Sequence, residues 1–215
     1  MTSIAHQSST AKDGYDEYYF GIYDIYEKTA IDLEDVRLIR KLVGEDAVVL
    51  DVGCGTGNFV RLCKGSIGLD LSEYALRCSK ELGQSVRGTA VALPFRGEMF
   101  HVVRMRDLLE HLHDPLSGLR EAYRTLKRRG LLIIRTPTPY SAIYPSHTFY
   151  DDHTHIRPYG RVAVSVILRQ AGFSSIRIHG RTYGKTLFER AASFLLSRFM
   201  PFEWLVLASK SKATS

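Results

Sequence analysis

Cysteine is scarce in this chain and poorly spaced for joint work. Cys54, Cys63 and Cys78 are the whole complement of 215 residues, an odd number with no CxxC pair. That argues against a disulfide framework or a structural zinc site and fits a reducing compartment. Long apolar runs are missing too. The opening residues MTSIAHQSSTAKDG hold no apolar core of the kind a secretory signal needs. The longest late apolar stretch, Phe194 to Ala208, is broken by Ser197, Arg198, Pro201 and Glu203, so it is too short and too charged to span a bilayer. There is no internal repeat and no low-complexity tract. A large excess of one charge is likewise absent: the net charge of +6 permits anionic partners without singling out nucleic acid. Arg120, Arg124, Lys127, Arg128 and Arg129 concentrate part of it, four of them bracketing an expected helix end, where cations complement the macrodipole. These absences lead to the expectation of a cytoplasmic protein with no membrane span. Its length suits one domain with a full-sized core.

What is present is a regular alternation. Residues 1–13 are polar and small and read as a disordered tail, with a single domain over 14–215. The stretch DGYDEYYFGIYDIYEK carries aromatic rings at 15, 18, 19, 20, 23 and 26. It reads either as a helix packed on the core or as a cap over a ligand. Leu33, Val36, Ile39 and Val43 have helical spacing, stopped by Gly44. Strands are expected over Ala47–Val52, Ser66–Leu71, Ser85–Thr89, Met99–Met105, Gly130–Thr136, Phe173–His179 and Glu203–Ser209. Helices are expected over Asn58–Cys63, Glu73–Leu82, from Asp114-Pro115 onward, and over Arg161–Ala171. Such alternation means a parallel sheet with helices on both faces. Two segments stand outside it, 140–160 and a helix over 184–200, and both are read as insertions near a ligand site.

The stretch VVLDVGCGTGN, residues 48–58, organises the rest. A short buried strand ends in an acid, Asp51, and runs into a loop with glycines at 53, 55 and 57. A dinucleotide site needs G-x-G-x-x-G so that a helix N-terminus can meet a pyrophosphate. Here the third glycine is misplaced, and an acid directly before the loop would repel a pyrophosphate. Asp51 suits a ligand that carries positive charge.

These residues resemble the first motif of the class I S-adenosylmethionine-dependent methyltransferases, and the similarity continues in order. GLDLSEYAL (68–76) resembles the second motif, GTAVALPF (88–95) the adenine loop, MFHVVRMRDLLEHLHDP (99–115) the fourth strand and its loop, and LKRRGLLIIRTPTP (126–139) the fifth strand. DDHTHIRPYG…LRQAGF (151–173) resembles the segment that follows in small-molecule members of the methyltransferase type 11, ubiquinone-biosynthesis-like branch. The resemblance implies a doubly wound, mostly parallel seven-stranded α/β sheet in the order 3-2-1-4-5-7-6, with the last strand antiparallel. It also implies S-adenosylmethionine as cofactor and S-adenosylhomocysteine as product. By position, Asp51 would hold the amino group directly or through water, and Gly53, Cys54 and Gly55 would offer backbone to the methionine end. Asp70 would accept from the ribose hydroxyls, Leu71 would pack on adenine, and Thr89 and Ala90 would reach the adenine edge. Arg106 and Asp107 would line the methyl-donor side.

The chain departs from the family pattern at three places. Thr89 stands where an acid usually accepts the adenine amine. Phe100-His101 replaces the usual Phe-Asp, a change read as structural. Arg106 sets a cation beside a sulfonium, which points to Asp107 or an anionic acceptor as its counter-charge. Catalytic candidates are His111, His153 and His155, because imidazole titrates near neutral pH; His113 and His147 are weaker ones. Tyr140, Tyr144 and Tyr150 are candidates for an aromatic acceptor pocket. His153 and His155 with Asp151 or Asp152 lack diagnostic metal spacing, so no metal is expected. The expected activity is methyl transfer to the O, N or C atom of a small molecule, by a monomer or homodimer. An RNA or protein methyltransferase and a catalytically silent cofactor-binding module are the alternatives, and no RNA-binding module is visible.

Overall fold

The computed structural model describes residues 15, 19–20, 29–143, 149–181 and 199–211. The expected tail, Tyr144, His147 and nearly all of the helix expected over 184–200 lie outside these residues. A first helix, α1 (Thr29–Leu42), precedes β1 (Val49–Val52), α2 (Asn58–Leu62), β2 (Ser66–Asp70), α3 (Glu73–Ser79) and β3 (Gln84–Arg87). β4 (Phe100–Arg106), α4 (Pro115–Thr125), β5 (Leu126–Pro137), α5 (Arg161–Gln170), β6 (Ser175–Arg181) and β7 (Glu203–Ser209) follow. Short 3-10 turns at Leu109–His111, Pro139–Ile143 and Phe149–Asp151 fill the loops after β4 and β5. The strands form one sheet in the order β3-β2-β1-β4-β5-β7-β6. All pairings are parallel except those of β7, which runs antiparallel to both β5 and β6.

The order follows from burial on two faces. Side chains alternate across a strand, so Val49, Val102, Ile133 and Leu205 pack under α1, together with its Val36 and Ile39. Their neighbours Leu50, Val103, Ile134 and Val206 pack on the opposite face with Leu119 of α4 and Leu168 of α5. A strand covered on both faces is mostly apolar, as β1 is except for the buried, paired Asp51.

Local chemistry sets the ends. The Ser72 hydroxyl caps α3 by accepting from the Ala75 N–H, and the Asp114 side chain caps α4 by accepting from the Ser117 N–H ahead of Pro115. The segment from Arg161, whose alternating valines also fit a strand, is helical and is closed by Gly172 at φ +108°. β5 starts four residues before the expected Gly130, because the chain turns extended at Leu126 directly after α4. Lys127, Arg128 and Arg129 therefore follow the helix end directly, on the first residues of the strand. Arg124 does occupy the last helical turn, where it pairs with Glu121 and donates to the carbonyls of Leu93 and Phe95. His101 has the structural role expected for it: its Nδ1 accepts the Val48 N–H at 2.9 Å, at the end of the sheet away from the glycine loop.

Candidate functional site

At the carboxyl end of β1 the chain enters the glycine loop, whose Gly53, Gly55 and Gly57 take φ of +75°, +53° and +91°. Those values belong to glycine, which has no Cβ to clash. The Gly53 and Cys54 N–H groups donate to the Leu69 carbonyl at 2.7 and 3.1 Å, so the loop folds back over the end of β2. Asp70 completes the brace: one carboxylate oxygen accepts the Gly55 N–H and the other the Ser72 N–H, both at 2.8 Å. A half-buried acid thus binds together the loops leaving β1 and β2. Leu71 beside it is exposed, Ala90 is buried, and the Thr89 hydroxyl accepts the Val91 N–H at 3.4 Å. Cys54 is buried, and burial, reinforced by Asp51 and Asp70, pushes its thiol far above the ordinary range. Its place in the loop is that of backbone and not of a nucleophile.

Asp51 lies buried directly before the glycine loop. Its carboxylate is 1% exposed and its Oδ1 accepts from Arg104 Nη1 at 2.8 Å, while no donor among the described residues reaches Oδ2. Burial pushes this carboxyl up to about 6, against the pull of Arg104. Asp51 is thus tied to the neighbouring strand β4 at the point where the chain enters the loop.

Arg104 is one node of a buried ionic lattice that the sequence reading missed. Its guanidinium also donates to Asp32 at 2.6 Å and Asp35 at 2.8 Å, and lies 4.2 Å over the Phe59 ring. Asp32 accepts in addition from Arg106 Nη1 at 2.8 Å, and Arg106 Nε stands 3.2 Å from Asp107. On β5, the fully buried Arg135 reaches Asp35, Glu203 at 2.7 Å and Glu34 at 3.1 Å; Glu34 also pairs with Arg181. Acids from the first turns of α1 thus neutralise arginines of β4 and β5. Arg106 is consequently buried and paired. The inference of an anionic acceptor from its charge loses its premise, because Asp32 and Asp107 supply the counter-charge. The signal was in the sequence: arginines within the apolar runs HVVRMR and LLIIRT cannot stay charged and buried without acids, and Asp32, Glu34 and Asp35 lie on one helix.

A second cluster forms where the loops after β4 and β5 meet the aromatic segment. The Tyr15 hydroxyl lies 3.2 Å from His111 Nδ1, and the Tyr19 hydroxyl donates to Asp152 Oδ2 at 2.9 Å. Asp152 Oδ1 accepts both the Thr154 N–H at 2.9 Å and the Thr154 hydroxyl at 2.6 Å. Burial works to raise the Asp152 carboxyl, but these bonds hold it below the usual value. Thr154 Oγ1 also sits 2.9 Å from His111 Nδ1. The rings of His111 and His155 are 4.7 Å apart, His155 stacks on Phe149, and its Nδ1 lies 2.6 Å from the Phe149 carbonyl. Glu110 is fully buried beside them and accepts from Thr136. Burial, with His155 alongside, pushes the His111 imidazole down to about 4. One donor atom from each of Glu110, His111 and His155 lies within 4.8 Å of the others.

Of the catalytic candidates, His111 and His155 come together, whereas His153 and His113 are exposed outside the cluster. Tyr140 and Tyr150 are also exposed, Tyr150 at 72%. Tyr15 and Tyr19 stand at the cluster. The two halves of the site are joined by one segment. The Tyr15 carbonyl accepts from the Ser72 hydroxyl at 2.6 Å, Phe20 stacks on Tyr74, and a Cβ built on Gly55 would meet the Phe20 ring at 3.5 Å. Of the two readings of the aromatic stretch, these contacts favour the cap.

A family model described as a methyltransferase domain matches residues 50–134. Phosphoethanolamine N-methyltransferase 3 of Arabidopsis thaliana is 31% identical over 72% of this chain and 33% of its own length. The ubiquinone/menaquinone biosynthesis C-methyltransferase UbiE of Klebsiella pneumoniae is 26% identical over 81% of this chain and 82% of its own. The chain spans about half the length of several curated relatives it matches. Among solved structures, a SAM-dependent methyltransferase of Thermotoga maritima superposes with a TM-score of 0.68 at 20% identity, over 90% of this chain and 97% of that one.

Proposed function

We propose that this chain, a class I S-adenosylmethionine-dependent methyltransferase by its motif order, family match and fold, transfers a methyl group to an oxygen, nitrogen or carbon atom of a small molecule. The observation that carries the reading is the continuity of the two clusters. The Asp70-braced glycine loop and the His111 cluster are bridged by Tyr15, whose carbonyl faces one and whose hydroxyl faces the other. The relatives named for small-molecule methyl transfer support the acceptor class.

The residues present fit the cofactor. Gly53 and Gly55 offer backbone without side chains, as a close ligand requires. A carboxylate has about four acceptor sites, of which the Gly55 and Ser72 N–H groups each take one on Asp70. Ribose hydroxyls suit its exposed side. Bound S-adenosylmethionine supplies a sulfonium methyl group with a good leaving group, so the protein's tasks are alignment and exclusion of water. Phe20 over the loop and Tyr15 and Tyr19 over the second cluster serve both tasks. Asp107, held at φ +46° and gripped by Arg106, fixes the loop between the two clusters. The test is ligand-dependent melting. S-adenosylhomocysteine at a hundredfold its Kd should add ~2.7 kcal/mol, a rise of roughly 5–11 °C for a domain of this size. NAD should leave the transition unmoved; a chain that responds to NAD and not to S-adenosylhomocysteine would overturn the reading.

A further inference from the structure

We infer that Glu110, His111 and His155 form a site for a divalent first-row cation at the acceptor side, with coordination positions left for water or an acceptor oxygen. The proposal deepens the methyltransferase reading by giving the acceptor a class, a molecule with an oxygen donor beside the methylated atom. It rests on that reading for the acceptor alone and on geometry for the ion.

Proton bookkeeping fixes both imidazoles. The single hydroxyl proton of Thr154 is donated to Asp152 at 2.6 Å. Toward His111 Nδ1, 2.9 Å away, the same oxygen can therefore only accept. The Tyr15 hydroxyl, 3.2 Å from the same nitrogen, can accept as well; with the proton on His111 Nδ1, directed at the nearer Thr154 oxygen, Nε2 presents a lone pair. His155 Nδ1 lies 2.6 Å from the Phe149 carbonyl, which cannot donate, so that nitrogen is protonated as well. His155 Nε2 then faces two carboxylates, Asp152 Oδ2 at 3.8 Å and Glu110 Oε1 at 4.0 Å. Both gaps are too long for hydrogen bonds. A shared ion resolves the arrangement: bonds of about 2.0–2.2 Å place neighbouring donors roughly 3–4.3 Å apart. One donor atom from each of Glu110, His111 and His155 lies within 4.8 Å of the others, a spacing that an ion would close by about half an ångström.

The surroundings have the form metal-binding histidines take elsewhere. Each imidazole gives its far N–H to an oxygen, a carbonyl for His155 and a hydroxyl for His111, which fixes tautomer and ring orientation. Two imidazoles and one carboxylate with open positions suit Mn2+, Fe2+, Co2+ or Zn2+ better than Ca2+. Methyl transfer needs no redox step, so the ion's part would be to hold an acceptor oxygen and favour its deprotonated form.

The test uses the full chain, stripped with EDTA and titrated with Mn2+ alone, followed by electron paramagnetic resonance. One saturable site per chain is expected, with imidazole nitrogen coupling in pulsed spectra. Glu110→Gln and His155→Asn should each weaken binding by at least about 10-fold, and Thr154→Val, which removes the oxygen behind His111 together with its bond to Asp152, by ~10-fold. The wild-type pulsed spectrum requires no folded variant and decides alone if a substitution abolishes the melting transition. Absence of saturable binding, absence of nitrogen coupling, or affinity that both ligand variants retain would each overturn the proposal. S-adenosylhomocysteine affinity in EDTA reads the cofactor half separately; its absence would remove the methyltransferase reading and leave the ion result standing.

Discussion

Asp32 offers the sharpest test of what holds α1 to the sheet. Its carboxylate is almost completely buried and one oxygen serves two cations, Arg104 at 2.6 Å and Arg106 at 2.8 Å. Asp32→Ala leaves both guanidinium groups in place with fewer acceptors. Removing one partner from a buried pair costs about 3–5 kcal/mol, since the remaining charge stays desolvated. Arg104 keeps Asp35 and Asp51, and Arg106 keeps Asp107, so the lower end applies, about 3 kcal/mol. At roughly 2–4 °C per kcal/mol for a chain of this size, the melting temperature should fall by ~6–12 °C. The comparison is Glu45→Ala, which breaks the pair with Arg40 whose side chains are 71% and 48% exposed. Exposed pairs contribute ~0–1 kcal/mol, so that variant should melt close to wild type. Both are read by thermal unfolding without ligand at equal ionic strength. If Asp32→Ala melted no lower than Glu45→Ala, the lattice would not be holding the helix, and the assignment of buried charge to Asp32 would be wrong.

Two further outcomes follow from the same geometry. Asp70→Ala should weaken S-adenosylhomocysteine by roughly 10- to 100-fold in calorimetry, the worth of one or two charge-assisted bonds; unchanged affinity would remove Asp70 from the ribose site. Asp51 ties stability to pH. Burial raises its folded pKa from 3.8 to about 6, so the folded carboxyl holds its proton more tightly than the unfolded one. Its contribution is therefore complete below 3.8 and is lost as pH climbs through about 6. Over that window the melting temperature of wild type should fall relative to Asp51→Asn and then run parallel to it; a gap that moves the other way would contradict the assignment.

Much of the architecture was legible in the residues. Glu203–Ser209 is the seventh strand with the expected bounds, and the Ser66–Asp70 strand, the Asp114 cap and the Gly172 stop all follow from local patterns. Strand order is different in kind, since it came from resemblance and not from spacing. What stayed illegible joins residues far apart in the chain. Tyr15 meets His111 across 96 positions, and Arg135 meets Asp35 across 100. Periodicity reports which face a residue occupies but not which partner it finds there. Composition is silent on orientation as well: it does not report that Tyr150 and Tyr140 face solvent. The extended chain at Leu126 was missed because Leu116, Leu119, Tyr123 and Leu126 share helical spacing, which ran through a boundary the backbone enforces.

The ionic lattice also crosses both borders of the stretch that motif similarity marks out. The stretch matched by the family model, 50–134, holds Asp51, Arg104 and Arg106 but neither Asp32 nor Asp35, and Arg135 falls one residue beyond it. Besides Asp51 and Asp107, the acids that neutralise these arginines come from before that stretch, in α1, and from after it, at Glu203 of β7. Of these acids, a fragment trimmed to the recognisable motifs would leave Arg104 only Asp51 and Arg106 only Asp107, with Asp32 lost to both and Asp35 lost to Arg104. The ion pairs of these arginines therefore reach past both borders drawn by motif similarity, to Asp32 on one side and Glu203 on the other.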